Sequence, residues 1–283
     1  MNFYIVIPAH NEADHISLTL ESIVSQTVLP KKVIVVNDNS TDNTSEIITG
    51  YTKTHQFIEQ VNSISSNMHL PGSKVIQAFY KGYELLDDNY DFIVKLDADI
   101  VLPRNYFETL IRHFNSDKSI GMIGGFAYIE KKGQWVLENL TNKDHIRGAF
   151  KAYRKQCFLD IGKLKPSMGW DTVDELLAQY HGWRIKTDEA LIVKHLKPTG
   201  ITYNKSARYK QGEAFYKLGY GSILSCIASI KLALLKKQPL LLVDYLKGYY
   251  KASKNNIKKL VTNDEANFIR LLRWKGIWKK MKR

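Results

Sequence analysis

Phe92-Ile93-Val94-Lys95-Leu96-Asp97-Ala98-Asp99 is the stretch on which the fold turns: a short run rich in apolar and β-branched residues that opens directly onto two acids. A run hydrophobic on both faces suits a central strand of a parallel sheet covered by helices. Two runs of the same kind lie upstream, at Phe3 to Ile7 and Val33 to Val36, and a less regular one at Ile58 to Val61. Amphipathic stretches separate them: His15 to Ser25, with Ile16, Leu20, Ile23 and Val24 on one side, then Thr44 to Thr54 and Val75 to Leu86. Strand alternating with helix predicts an α/β fold with right-handed crossovers. Pro103 is placed to open a further helix with Phe107, Leu110, Ile111 and Phe114 inward. Beyond it the pattern predicts strands at Ile120 to Ile129 and Trp135 to Leu140, a helical stretch from Ala149 to Leu159, a helix from Val173 to His181 and a strand at Ala190 to Val193.

In open α/β sheets ligands bind beyond the carboxyl ends of the strands. The residues there are Pro8-Ala9-His10-Asn11-Glu12, Asn37-Asp38-Asn39-Ser40-Thr41-Asp42 and Asp97-Ala98-Asp99. Neither GxGxxG nor GxxxxGK follows the first strand, which excludes a dinucleotide fold and a P-loop. An acidic edge holds phosphate through a divalent cation instead, and Asp97 and Asp99 would bind a hard ion incompletely, leaving positions for phosphate oxygens. Plainer readings stand beside this one. Strand-end acids are common in turns, Ser40 or Asp42 would cap the next helix, and Pro8 would simply end a strand.

Taken together and in order, Ile5-Val6-Ile7-Pro8-Ala9-His10-Asn11-Glu12, Val35-Val36-Asn37-Asp38-Asn39-Ser40-Thr41-Asp42 and Leu96-Asp97-Ala98-Asp99 resemble the family 2 glycosyltransferases of the GT-A fold, over roughly residues 1–200. The resemblance implies a mostly parallel central sheet flanked by helices, a nucleotide-sugar donor lined by Pro8, Ala9, Asn11 and Glu12, and Asp38 on the base. It places Asp97 by the ribose, Ala98 among the donor-binding residues and Mn²⁺ or Mg²⁺ on Asp99, with His195 of Lys194-His195-Leu196-Lys197-Pro198 as a further metal ligand. Counting back from Gly182-Trp183-Arg184-Ile185 sets Trp170-Asp171 at the family's later acidic pair, so Asp171 inherits the role of catalytic base, with Asp174 and Glu175 as alternatives. Thr172-Val173-Asp174-Glu175 fits a capping box that would occupy Glu175 and leave Asp171 just outside the helix. Arg147-Gly148-Ala149 resembles the loop before an acceptor site. Lys74 near Pro71-Gly72 reads as solvated, and His10, His69, His113, His145 and His181 show no triad spacing.

The chain has 283 residues, 44% hydrophobic and 11% aromatic with 7 prolines, enough for a real core and too ordered for a disordered tail. Its net charge of +13 is divided unevenly. Residues 201–283 hold 19 basic and 4 acidic residues, a net of +15, which leaves residues 1–200 at −2. The division predicts a donor-binding half (1–105), an acceptor and catalytic half (106–200) and a basic helical C-terminal extension (201–283). In that extension Leu242, Tyr245, Leu246, Tyr249 and Tyr250 share one helical side, and Leu271, Trp274, Trp278 and Met281 form a second stripe among lysines and arginines. Aromatics beside basic residues suit an anionic membrane surface, the alternative being that the stripes pack on the catalytic unit. Nucleic acid is not expected, since no RNP-like motif occurs and the acidic loops repel phosphate.

Cys157 and Cys226 are far apart in sequence, without CxxC or a Cys/His run, which speaks against a disulfide scaffold or zinc finger and for a reducing cytoplasm. Met1 to Pro8 lacks the basic region of a signal peptide, and Leu218 to Leu235 is interrupted by Lys231 and too short to span a bilayer. The expectation is a metal-dependent, inverting glycosyltransferase, peripheral on the inner face of the cell membrane. It would act on a saccharide or lipid-linked saccharide in bacterial surface polysaccharide or lipopolysaccharide assembly. Its rivals are a sugar nucleotidyltransferase and a membrane-bound non-catalytic nucleotide-binding scaffold.

Overall fold

The apolar runs form adjacent parallel strands in the computed structural model, which describes residues 1–64, 72–138, 144–197 and 205–282. They are β1 (Phe3–Ala9), β2 (Lys32–Asp38), β3 (Ile58–Ser63) and β4 (Phe92–Leu96), in the spatial order β3-β2-β1-β4. Ile5 pairs with Val33 on one side and Val94 on the other, so β1 is central and buried on both faces. That double burial is why its sequence is continuously apolar rather than alternating. The crossovers are α1 (Ile16–Val24), α2 (Thr44–Thr54) and α3 (Ser73–Tyr83). Gly82 lets α3 approach the sheet closely, because a Cβ there would lie 2.6 Å from Val6 Cγ1 and 2.9 Å from Val36 Cγ2.

The second half of the sheet is built from β5 (Ile100–Val101), β6 (Ile120–Lys131), β7 (Gln134–Leu137), β8 (Phe150–Arg154) and β9 (Arg184–His195). It extends the order as β4-β8-β6-β9-β5, with β7 beside β6. Its helices are α4 (Tyr106–Ser116), α5 (Lys155–Asp160) and α6 (Trp170–Tyr180). In α4 Phe107, Leu110 and Phe114 are buried as expected, and Ile111 is half-buried.

The predicted helix over Ala149 to Leu159 is corrected by the structure. Residues 150–154 are an antiparallel strand wedged between β4 and β6, with Leu96 opposite Phe150, and only Lys155 to Asp160 is helical. Phe150, Tyr153, Cys157 and Phe158 satisfy a helical period locally. The edges of β4 and β6 nonetheless need backbone partners inside the core, and that demand overrides the local pattern. The strand expected at Ala190 to Val193 is the end of the longer β9. Leu140, Pro71, His69, Pro198 and the boundary at 200/201 lie outside the described residues.

The basic extension consists of α7 (Lys205–Lys217), α8 (Gly221–Leu235), α9 (Leu240–Lys254) and α10 (Asn263–Met281). It is docked on the α/β unit. Tyr180 of α6 meets Phe268 of α10 edge-on at 5.5 Å, and the backbone at Gly169, which precedes α6, has Ala214 of α7 and Leu218 just after it as neighbours. Within the extension α7 and α9 touch backbone to backbone: a Cβ on Gly212 would collide with the Tyr245 carbonyl, and one on Gly248 with the Tyr209 carbonyl. Hence the α9 stripe is largely used internally, with Tyr245 buried, Leu242, Leu246 and Tyr249 half-buried and only Tyr250 exposed. On α10, Leu271, Trp278 and Met281 remain exposed while Trp274 is half-buried. No helix among the described residues is long and apolar enough to cross a membrane.

Because the atoms facing Gly248 are backbone and cannot swing away, Gly248→Ala is expected to destabilise the extension by about 1–3 kcal/mol, the usual cost of overpacking. Gly276, whose added Cβ would meet nothing within 4 Å, is the control. Gly276→Ala should be neutral or stabilising by up to about 1 kcal/mol through helix propensity. Urea unfolding of the two variants checks both signs.

Candidate active site

Parallel β1, β2 and β4 deliver their carboxyl-end loops to one edge, and hydrogen bonds lock the loops together. Asn11, at φ 52, donates its backbone N–H to Ser40 Oγ (3.0 Å), and its Oδ1 accepts from the Thr41 N–H (2.8 Å). Asp42 accepts from the backbone N–H groups of Ala13 and Thr44 (3.1 Å each), so it is Asp42 that organises the start of α2. Pro8 and Ala9 end β1, Ala9 buried and Pro8 half-buried. Asp38 is buried, and its carbonyl accepts from His10 Nδ1 at 2.6 Å. Beside it Asn37 Oδ1 is buried without a hydrogen-bond partner among the described residues, an acceptor left for a ligand donor at the end of β2. Glu12 is paired with Lys197 at 2.5 Å. Burial, with the Asp99 and Asp97 carboxylates, pushes Glu12 up against the pull of Lys197, so these acids share one field.

Asp99 and His195 meet because β5 pairs with β9: Ile100 lies opposite His195, and the Leu196 N–H donates to the Asp99 carbonyl at 2.9 Å. His195 Nε2 is 3.4 Å from Asp99 Oδ2, and its Nδ1 is 3.5 Å from Glu138 Oε2, which also takes Arg147 at 2.9 Å. Burial alone would depress His195, but the Asp99 and Glu138 carboxylates outweigh it and push it up to about 9. Among the described residues no group of three or more His, Cys, Asp or Glu forms a self-sufficient metal cage. The pair is a carboxylate oxygen and an imidazole nitrogen, with Glu138 orienting the imidazole from behind. This donor set fits Mn²⁺ or Mg²⁺ completed by diphosphate oxygens and water. Ala98 packs into the core, its carbonyl accepting from Thr19 Oγ1 at 2.7 Å.

Two lysines connect this edge to α6. Lys95 is buried, ion-paired with Asp97 and 5.1 Å from the Trp170 ring. Directly opposite it on β8, buried Lys151 lies 5.9 Å from the same ring. Lys151 donates to the Asp171 carbonyl (2.7 Å) and contacts Asp174 and Glu175 at 3.1 Å. These carboxylates raise Lys151 above its ordinary value despite burial, whereas burial and the surplus of negative charge push Asp174 up to about 6.

The expected capping box does not form. Gly169, left-handed at φ 81, precedes the helix, and Asp171 lies inside its first turn rather than outside it. Thr172 is therefore within α6, and Glu175 is engaged by His145 Nδ1 and the Ile146 N–H, each at 2.9 Å. A glycine able to adopt positive φ starts the helix without a side-chain cap, which the TxxE spacing alone cannot reveal. Of the three acids, Asp171 exposes 35% of its side chain, Asp174 1% and Glu175 10%, so Asp171 is the one a ligand can reach. Tyr153 Oη also donates to Asp174 at 2.6 Å.

Sequence patterning does not single out Lys95, Lys151, Glu138 or His145. The only available signal was a lysine inside each of two strands that are otherwise buried.

The α/β layering with acidic strand ends is that of the GT-A glycosyltransferases. Solved structures share the fold, and two illustrate the likeness. The mannosyltransferase PcManGT from Pyrobaculum calidifontis in complex with GDP-Man and Mn²⁺ matches at a TM-score of 0.59 and 15% identity, over 99% of this chain and 82% of that one. S. aureus TarS 1-349 in complex with UDP-GlcNAc matches at 0.58 and 16%, over 90% and 74%. The Glycosyl transferase family 2 profile matches residues 4–163, and the chain belongs to that family. Among curated relatives, the poly-beta-1,6-N-acetyl-D-glucosamine synthase of Staphylococcus aureus (strain MSSA476) is 25% identical over 238 residues, covering 73% of this chain and 53% of the relative. The chain thus spans about half the length of the curated relatives it matches.

Replacing Lys151 by Met leaves Asp174 and Glu175 buried without their cation. A loss of about 3–5 kcal/mol in urea unfolding is expected. Replacing Asp174 by Leu in the same variant should recover part of it.

Proposed function

We propose that the protein transfers a sugar from a nucleotide-sugar donor to a saccharide hydroxyl with inversion, assisted by a divalent cation. The carrying observation is that α6 presents one accessible carboxylate, Asp171, while Asp174 and Glu175 are committed to Lys151, Tyr153 and His145. Pro8, Ala9, Asn11, Glu12, Asp38, Asp97 and Ala98 line the donor side. Asp99 and His195 would hold Mn²⁺ or Mg²⁺, which supplies neutralisation of the diphosphate as it leaves. Asp171 takes the proton of the acceptor hydroxyl, whose oxygen attacks the anomeric carbon from the face opposite the diphosphate. Residues 1–105 would serve as the donor half and 106–200 as the acceptor half.

We place the acceptor on a lipid carrier, in the assembly of a bacterial surface polysaccharide, with residues 201–283 against the anionic inner face of the cell membrane. Exposed Ile223, Ile230 and Leu234 on α8 and Leu271, Trp278 and Met281 on α10 support this reading. So does the basic charge between those helices: burial and the nearby Lys280 and Arg273 hold Lys231 below its usual value. Tryptophan beside such charge suits a headgroup layer.

Thermal shift with UDP-GlcNAc and GDP-mannose, each with and without Mn²⁺, tests the donor site. A donor at 100 times its Kd stabilises by about 2.7 kcal/mol. Asp99→Asn should lose the Mn²⁺-dependent part of the shift, and an unchanged shift would remove Asp99 from the metal site. Asp171→Asn should keep the shift while transfer falls by about 100-fold or more. In flotation assays the chain should rise with anionic vesicles and be released by salt; recovery in the free fraction at low salt would detach the extension from the membrane.

A further inference from the structure

We infer that His145, oriented by Glu175, is a positioning residue that acts through Asp171: it receives the proton that Asp171 takes from the acceptor and relays it to solvent. This rests on Asp171 being the base. Glu175 is buried midway along α6, and its Oε1 accepts from the Ile146 N–H at 2.9 Å and from Lys151 at 3.1 Å. Burial alone would raise the Glu175 carboxyl, yet Lys151 and the bonds from His145 and Ile146 hold it below its ordinary value, so it is an acceptor. His145 Nδ1, 2.9 Å from Glu175 Oε2, must then be the donor, which turns the other ring nitrogen outward with its lone pair free. That nitrogen, Nε2, lies 3.8 Å from Asp171 Oδ2. The gap is about 1 Å longer than a hydrogen bond, and a bond spans it only once Asp171 or the imidazole carries the transferred proton.

The arrangement is a line of three groups drawn from two segments of chain. Glu175 and Asp171 come from one helix, four residues apart and on one face, and His145 from the loop before β8. Charge on the line is managed at both ends: Lys151 secures Glu175, and it also accepts no competition from Asp171, whose carbonyl rather than carboxylate it holds. The imidazole retains a side-chain exposure of 16%, which gives its proton a way out.

The proton count closes. The acceptor oxygen bonds to the anomeric carbon as the bond from that carbon to the diphosphate oxygen breaks, and the diphosphate leaves with the electron pair. The hydroxyl proton passes to Asp171 Oδ2, then to His145 Nε2, then to solvent, and Glu175 stabilises the imidazolium without taking the proton itself. Asp171 is thereby returned to its basic form for the next acceptor.

The test is UDP release from UDP-GlcNAc by the full chain with Mn²⁺, water serving as acceptor. His145→Gln keeps an N–H toward Glu175 but has no basic nitrogen. It should lower kcat by about 10- to 100-fold with KM for UDP-GlcNAc and the thermal midpoint unchanged. His145→Ala should lose as much and regain turnover with added imidazole, which a purely structural histidine would not do. Wild-type kcat in His145→Gln, with Asp171→Asn inactive, overturns the relay and leaves the base in place. Wild-type turnover in Asp171→Asn overturns the base assignment itself.

Discussion

Lys95 and Lys151 face each other directly across β4 and β8, both buried and both against the ring of Trp170. Like charges in opposed positions destabilise a sheet, and each buried ion costs several kcal/mol of lost hydration. The pair persists because each ammonium has its own anion: Lys95 has Asp97, and Lys151 has Asp174 and Glu175. The shared indole face adds attraction to both. Asp97 belongs to the strand-end edge and the other two acids to α6, so this buried pair ties the strand-end acids to the helix that carries Asp171. The rest of the site is hung from that link.

The same constraint explains the division of labour among the acids of α6. One ammonium among three acidic residues must favour some over others, and burial makes the preference strong. Asp174 and Glu175 are drawn inward to Lys151, Tyr153 and His145, which leaves Asp171 as the accessible acid. A helix begun by left-handed Gly169 needs no side-chain cap, so Asp171 is not spent on capping either. At the strand-end edge, β5 and β9 bring Asp99 to His195 by backbone pairing alone. Both Asp171 and the Asp99–His195 pair are thus held by regular secondary structure, the placement that the proposed transfer depends on.

The net charge of +13 resolves into parts with different surroundings. Most of the positive excess lies on helices that dock to the catalytic unit through Phe268, Ala214 and Leu218 and to one another through Gly212 and Gly248. Docking consumes much of the apolar surface that a helical wheel of α9 alone would assign to a membrane. Apolar side chains stay exposed on α9, at Leu240, Val243 and Tyr250, and on α8 and α10, where Ile230, Leu234, Trp278 and Met281 lie among lysines.

The sequence by itself determined the parallel half of the sheet, and α2 with both its ends, because continuous β-branched runs and a 3.6-residue period are local signals. It also determined that Glu12, Asp38, Asp97 and Asp99 stand at strand ends, since that follows from where the apolar runs stop. Tertiary structure alone decided that residues 150–154 are a strand, for the reason lies in the unpaired edges of β4 and β6 rather than in those residues. It alone decided the partners of the buried lysines and the meeting of His145 with Glu175, contacts made 30 residues apart in the chain for that last pair. A periodicity reports which face of an element is buried. It carries no information on which distant group waits there, and in this protein the charges were assigned their roles by those distant groups.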